Sequence, residues 1–261
     1  MPESTRSDFN RRGEPRGMPS SGICLVLCSL LVTGLGFGIA AKDENGEPAT
    51  GASVEDRATR IALPDQEESE KVRLPEEPTV LLIGDSFSLG HGAEPRAKGY
   101  AFLLAERMGW QNFTVDGVGK TGFISGGDFR YLERLNARIR SKAPAPDLVV
   151  LQGSVNDTWI DYHDMLTAVT DTVRTIETHW PGTEIVLTTP ITHRDFAREE
   201  RALHVAARST RAVLLIDEVP RSWLPPVSNL YIDDSWHPST QGHARIAESM
   251  GAALQDRIRP R

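Results

Sequence analysis

Three residues of this chain have the types and spacing for nucleophilic chemistry, although they lie far apart in sequence. Ser86 stands in Leu81-Leu82-Ile83-Gly84-Asp85-Ser86-Phe87, where an apolar run over 79–83 stops abruptly at Gly-Asp-Ser. Such a stop reads as a buried strand that delivers a side chain at the carboxyl edge of a sheet, with a helix opening behind it. A serine hydroxyl is a poor nucleophile by itself. It needs a base to take its proton and a carboxylate to orient that base. Both occur together near the other end, in Asp234-Ser235-Trp236-His237-Pro238. These residues predict a triad of Ser86, His237 and Asp234. Asp234 is preferred to its neighbour Asp233, because a three-residue spacing lets the carboxylate curl back beneath the ring. Activity should then rise with pH, since a protonated His237 cannot accept the serine proton.

The elements that must position these groups alternate regularly from Pro78 onward. Strand patterns over 79–83, 112–118, 147–152, 184–188 and 212–216 are separated by helical patterns over 100–108, 129–141, 165–180 and 197–209. A last helix is expected over 239–258, with Pro238 at its first position, where a missing N–H costs nothing. The run Asp147-Leu-Val-Val-Leu-Gln152 is nearly continuous in apolar residues, as a strand covered on both faces should be. Alternation of this kind predicts an α/β fold: a doubly wound five-stranded parallel sheet, flavodoxin-like, in three α/β/α layers. Sites in such sheets lie beyond the carboxyl ends of the strands, at the switch point.

Four short segments fall at those ends. They are Gly84-Asp85-Ser86, Gly117-Val118-Gly119-Lys120-Thr121-Gly122, Gly153-Ser154-Val155-Asn156-Asp157 and Asp234-Ser235-Trp236-His237. In this order and context they resemble the SGNH (GDSL) serine hydrolases, over about residue 79 to the end. The resemblance implies Ser86 as nucleophile, His237 as general base and Asp234 as its partner. It also implies an oxyanion hole built from the Ser86 backbone N–H, the Asn156 amide and a backbone donor of the glycine turn. That donor is either Gly119 or Lys120, and Gly119 is preferred. The implied activity is hydrolysis of acyl esters, short-chain ones such as acetyl included, on a cell-envelope glycan or lipid, with no metal or organic cofactor. The same triad would serve an O-acyltransferase. A membrane-tethered binding domain without turnover is a reading from another class. A flavodoxin-like nucleotide binder is disfavoured, because Asp85-Ser86-Phe87 offers too few donors for a phosphate loop.

The chain has 261 residues, 39% hydrophobic and 25% charged, with a formal net charge of −7. A packed core is within reach, and a nucleic-acid partner, which needs concentrated basic surface, is not expected. Residues 22–41 contain no charge, about enough helix to cross a hydrocarbon core. Arg11, Arg12 and Arg16 precede this run, whereas Asp43, Glu44 and Glu47 follow it. The expected organisation is therefore a cytoplasmic tail (1–21), a transmembrane anchor (22–41), an acidic Pro-containing linker (42–77) and a catalytic domain (78–261) outside the membrane. Secretion after cleavage of a signal segment is the alternative. The only cysteines, Cys24 and Cys28, lie inside the apolar run, so the domain must be stabilised by its core. A monomer is expected.

Other residue types have bland readings. Asp85 is expected to brace loops by accepting backbone N–H groups. His91, His163, His179, His193, His204 and His243 show no ligand spacing and read as solvated or locally bonded. For Trp159, Trp223 and Trp236, at loop ends, packing and lining of the cleft both remain open.

Overall fold

The structure, a computed structural model, describes residues 71–216 and 223–261. The expected tail, the apolar run 22–41 and the linker as far as residue 70 lie outside these residues. Among the described residues, no helix is long and apolar enough to cross a membrane.

Among the described residues, seven strands and five α-helices follow in order: β1 (Val72–Leu74), β2 (Thr79–Gly84), α1 (Tyr100–Met108), β3 (Asn112–Gly117), α2 (Tyr131–Arg140), β4 (Leu148–Gly153), α3 (Tyr162–His179), β5 (Glu184–Pro190), α4 (Ala197–Arg208), β6 (Val213–Leu215), α5 (Thr240–Gln255) and β7 (Ile258–Pro260). Five of the strands form one sheet in the order β3-β2-β4-β5-β6, with every pair parallel. The α/β fold expected from the alternating pattern is thus present. Its chain reverses direction across the sheet between β2 and β4, and the crevice there is where Ser86 and Asn156 emerge.

The period of two along each strand divides the core into two layers. Val80 and Leu82 of β2, with Leu148 and Val150 of β4, face α1 and α5 through Leu104, Ile246 and Met250. Leu81, Ile83, Val149 and Leu151 point the other way, onto α2, α3 and α4 through Leu135, Val169, Ile176 and Leu203. Every residue of β4 is buried, which explains its unbroken apolar run. β3 is an edge strand and half exposed, so its sequence signal is weak.

Several boundaries differ from the sequence pattern, each for a local reason. α3 begins earlier than expected, because Asp161 caps it by accepting the His163 N–H. The closing helix is capped by Ser239, which accepts the Gly242 N–H, and so starts after Pro238 rather than on it. It stops at Gln255, and Ile258 joins a second, two-stranded parallel sheet with β1. Val72 and Leu74 are buried in the first core layer, and Arg261 N–H donates to the Leu74 carbonyl. The folded unit therefore begins before the expected boundary at residue 78; a three-residue strand with two apolar side chains was too short to stand out against its acidic surroundings.

Candidate active site

After β2, Asp85 accepts the Phe87 N–H and the chain continues through successive turns instead of the helix expected behind Ser86. Leu89 N–H reaches the Asp85 carbonyl, but Gly90 and Gly92 at φ 80° and 91° stop any continuation. The Ser86 backbone N–H thus gains no regular-helix dipole. Close packing holds the turn. A Cβ on Gly117, at the end of β3, would lie 2.3 Å from the Leu89 backbone nitrogen, so only glycine lets these two segments meet.

The histidine comes from a loop tied at both ends. Tyr231 and Pro238 form an antiparallel bridge, and Ile232 N–H donates to the His237 carbonyl at 3.0 Å. Ser235 at φ 54° turns the chain between them. That left-handed step lets Asp234 Oδ1 accept both the Trp236 and the His237 N–H, each at 2.9 Å.

These two loops bring the three residues together. Ser86 Oγ lies 3.0 Å from His237 Nε2, and His237 Nδ1 lies 2.6 Å from Asp234 Oδ2. With Nδ1–H donating to the carboxylate, Nε2 is left as acceptor for the serine hydroxyl. Partial burial alone would raise the Asp234 pKa. The bonds from the His237 ring and from the two backbone N–H groups outweigh it and hold the carboxyl below its ordinary range. It is therefore ionised at neutral pH, as an orienting group must be.

Gly119 sits beside the serine: a Cβ built on it would come 3.8 Å from Ser86 Cβ. Lys120 follows at φ 63°, in the left-handed region, and Thr121 Oγ1 donates back to the Val118 carbonyl to close the turn. Asn156 Nδ2 donates to Asp85 Oδ2 at 3.2 Å and to the Thr121 carbonyl at 3.0 Å. Both amide protons are thus engaged, so an incoming oxyanion would have to exchange with one of these acceptors.

Asp85 occupies the brace expected of it. It is fully buried, and it accepts from Phe87 N–H, Gln152 Nε2 and Val155 N–H as well as from Asn156. Burial pushes its pKa up against the pull of these bonds. Asp157 does the same for the second loop, gathering the N–H groups of Phe123, Ile124 and Ser125. A Cβ on Gly122 would collide with that carboxylate at 2.3 Å.

Sequence reasoning missed three supports. Arg134 is buried and donates to the carbonyls of Gly84, Asp116 and Phe129, clamping the ends of β2 and β3. Its ion pair with Asp116 at 2.7 Å neutralises it; nothing in the pattern of α2 marks it out from the helix's other arginines. Gln152, Ser88 and Tyr100 form a buried polar cluster under Ser86, and the signal was a glutamine at the end of an apolar strand. His243, expected to be solvated or locally bonded, is instead fully buried. Its Nδ1 accepts the Tyr100 N–H at 3.1 Å, so its Nε2–H donates to the His91 carbonyl at 2.9 Å.

The His91 ring packs edge-on to His237, with centroids 4.3 Å apart. His91, His237 and Asp234 offer ligand atoms within 4.8 Å of one another, the closest approach to a metal-binding set among the described residues. Two of the three already share the Asp–His hydrogen bond, so a cation there would compete with the arrangement around Ser86. Of the tryptophans, Trp223 is buried, Trp236 is partly buried beneath Arg194, and Trp159 is almost wholly exposed.

The model of the GDSL-like lipase/acylhydrolase family matches residues 82–245, the stretch that carries all four loops. The chain belongs to that family. It is accordingly an ester hydrolase by family. No curated protein sequence matches it significantly. Among solved structures it is similar to a carbohydrate esterase family 2 enzyme with a carbohydrate-binding domain from Corynascus thermopiles (Myceliophthora fergusii), at 19% identity and a TM-score of 0.57 over 70% of this chain and 67% of that one. A psychrotrophic esterase from Pseudoalteromonas sp. matches at 19% identity and a TM-score of 0.54, over 68% and 97%. A two-domain esterase active on acetylated mannans matches at 22% identity and a TM-score of 0.54, over 73% of this chain and 52% of that one. At these identities the likeness is one of fold, and it matches the GDSL-like assignment.

Proposed function

We propose that the protein is a serine esterase that removes short acyl groups, acetyl among them, from a cell-envelope glycan through an acyl-Ser86 intermediate. The observation that carries the reading is the unbroken relay of hydrogen bonds from Ser86 Oγ through His237 to Asp234. His237 Nε2 takes the hydroxyl proton as Oγ attacks the acyl carbonyl, and Asp234 stabilises the imidazolium that forms. The oxyanion is met by the Ser86 and Gly119 backbone N–H groups and by Asn156, whose bond to Asp85, at 3.2 Å, is the longer one to exchange. His237 then protonates the sugar oxygen as it leaves, so that it departs as a hydroxyl. Water, deprotonated by the same imidazole, attacks the acyl carbonyl and releases the acid, and the proton passes back to Ser86 Oγ. One of the similar solved structures is described as a carbohydrate esterase and another as an esterase active on acetylated mannans, which favours a glycan over a lipid as the alcohol portion. The uncharged run 22–41, with arginines before it and acidic residues after it, supports a domain held outside the membrane by its own N-terminal segment.

A fluorophosphonate probe tests the mechanism. The protein should label covalently and hydrolyse p-nitrophenyl acetate, and Ser86→Ala should lose both. Labelling of Ser86→Ala at the wild-type level would place the nucleophile elsewhere.

A further inference from the structure

A cleft of about 500 Å³ is lined by Trp159, Trp236, Arg194, Asp195, Arg198 and Glu199, together with Val155 and others. Its volume falls within the roughly 300–1,000 Å³ usual for small-molecule sites. Two of its lining residues, Trp236 and Val155, are the chain neighbours of His237 and Asn156. Trp159 stands at its rim with 93% of its surface exposed, the most exposed large apolar side chain among the described residues. Its backbone lies at φ 69°, in the left-handed region that a bulky residue rarely adopts. A packing role does not explain a strained tryptophan that packs against almost nothing. Across the cleft, the Arg194 guanidinium lies over the Trp236 ring at 4.3 Å, and Arg198 Nη1 donates to the Ile160 carbonyl, fixing the polar wall to the Trp159 loop.

We propose that this cleft is the saccharide subsite of the enzyme, with Trp159 as the stacking platform for the pyranose ring next to the acylated one. The inference rests on the esterase reading for the position of the acyl group, but the sugar chemistry is carried by the cleft itself. A pyranose presents an apolar C–H face and a rim of hydroxyls. An exposed indole matches the face, and arginine and carboxylate side chains match the rim as paired donors and acceptors. A fatty acyl chain is the wrong occupant, since it would strip water from three exposed charged side chains, Arg194, Asp195 and Arg198, without returning a hydrogen bond.

Two measurements on the full chain test this. In the first, Ser86→Ala, which cannot turn substrate over, is titrated with xylotetraose, mannotetraose and chitotetraose by tryptophan fluorescence. At least one should bind, and adding Trp159→Ala should weaken binding at least tenfold, whereas Trp159→Phe should retain most of it. In the second, the wild type and Trp159→Ala are compared on the matching acetylated oligosaccharide and on p-nitrophenyl acetate. Selectivity for the oligosaccharide should fall at least tenfold through KM, with kcat little changed. Equal losses on both substrates would make Trp159 merely structural and overturn the subsite. Absence of oligosaccharide binding in an enzyme that cleaves p-nitrophenyl acetate would overturn the subsite and leave the esterase standing. Trp159-dependent binding without any ester cleavage would uphold the subsite and remove the esterase.

Discussion

At the scale of single residues, the outcome turns on how each carboxylate is bonded. Asp234 and Asp85 are both near the serine, yet only Asp234 touches the imidazole; Asp85 is spent on holding loop N–H groups and on Asn156. Asp234→Asn should therefore leave the fold intact, because the amide oxygen can still accept the Trp236 and His237 N–H groups, while removing the charge that holds the ring's tautomer. A loss of roughly 10³- to 10⁴-fold in kcat on p-nitrophenyl acetate is expected, with an unchanged melting temperature. Retention of wild-type kcat would show that another group orients His237. The residue types of this site were legible in the sequence. What was not legible was Arg134, because a buried arginine on a helix rich in surface arginines has no distinguishing neighbour pattern until the carbonyls it meets are known.

At the scale of elements, the loops matter more than the helices. The Asp-Ser-Trp-His loop works because a bridge closes its base and Ser235 takes a left-handed turn, neither of which spacing alone reveals. The short strand β1 illustrates the same limit. Its three residues carry no period that can be read, but pairing with β7 and burial of Val72 and Leu74 make it part of the core. A chain beginning at residue 71 is expected to fold and act as a soluble domain. One beginning at residue 78 loses both side chains and the ladder, about 3 kcal/mol or more of apolar burial. Thermal melts of the two truncations would show this, and equal melting temperatures would mean that β1 is dispensable.

At the scale of the whole molecule, two core layers on either side of one sheet must hold four loops in register. His243 connects them: it joins α5 to the start of α1 and to the loop after Ser86. Burial holds its pKa down at about 4 against an ordinary 6.5. The folded pKa is the lower one, so between those values the unfolded chain binds more protons and stability rises with pH. The neutral ring's contribution is complete above about pH 6.5 and is lost as pH falls toward 4, on the order of 3 kcal/mol in all. His243→Gln, which can also accept at one end and donate at the other, should show a smaller drop in melting temperature between pH 7 and pH 5 than the wild type. An identical drop would assign acid sensitivity to other groups.

The order of strands and helices, the parallel sheet and the choice of Ser86, His237 and Asp234 as candidates came from local pattern, since apolar periodicity and residue type are properties of short stretches. Where Asn156 sends its amide protons, that His243 is buried and that Trp159 stands beside the cleft were decided only by tertiary structure. Each depends on which groups from distant stretches share a few ångströms, and a linear spacing holds no distance between residues 150 apart.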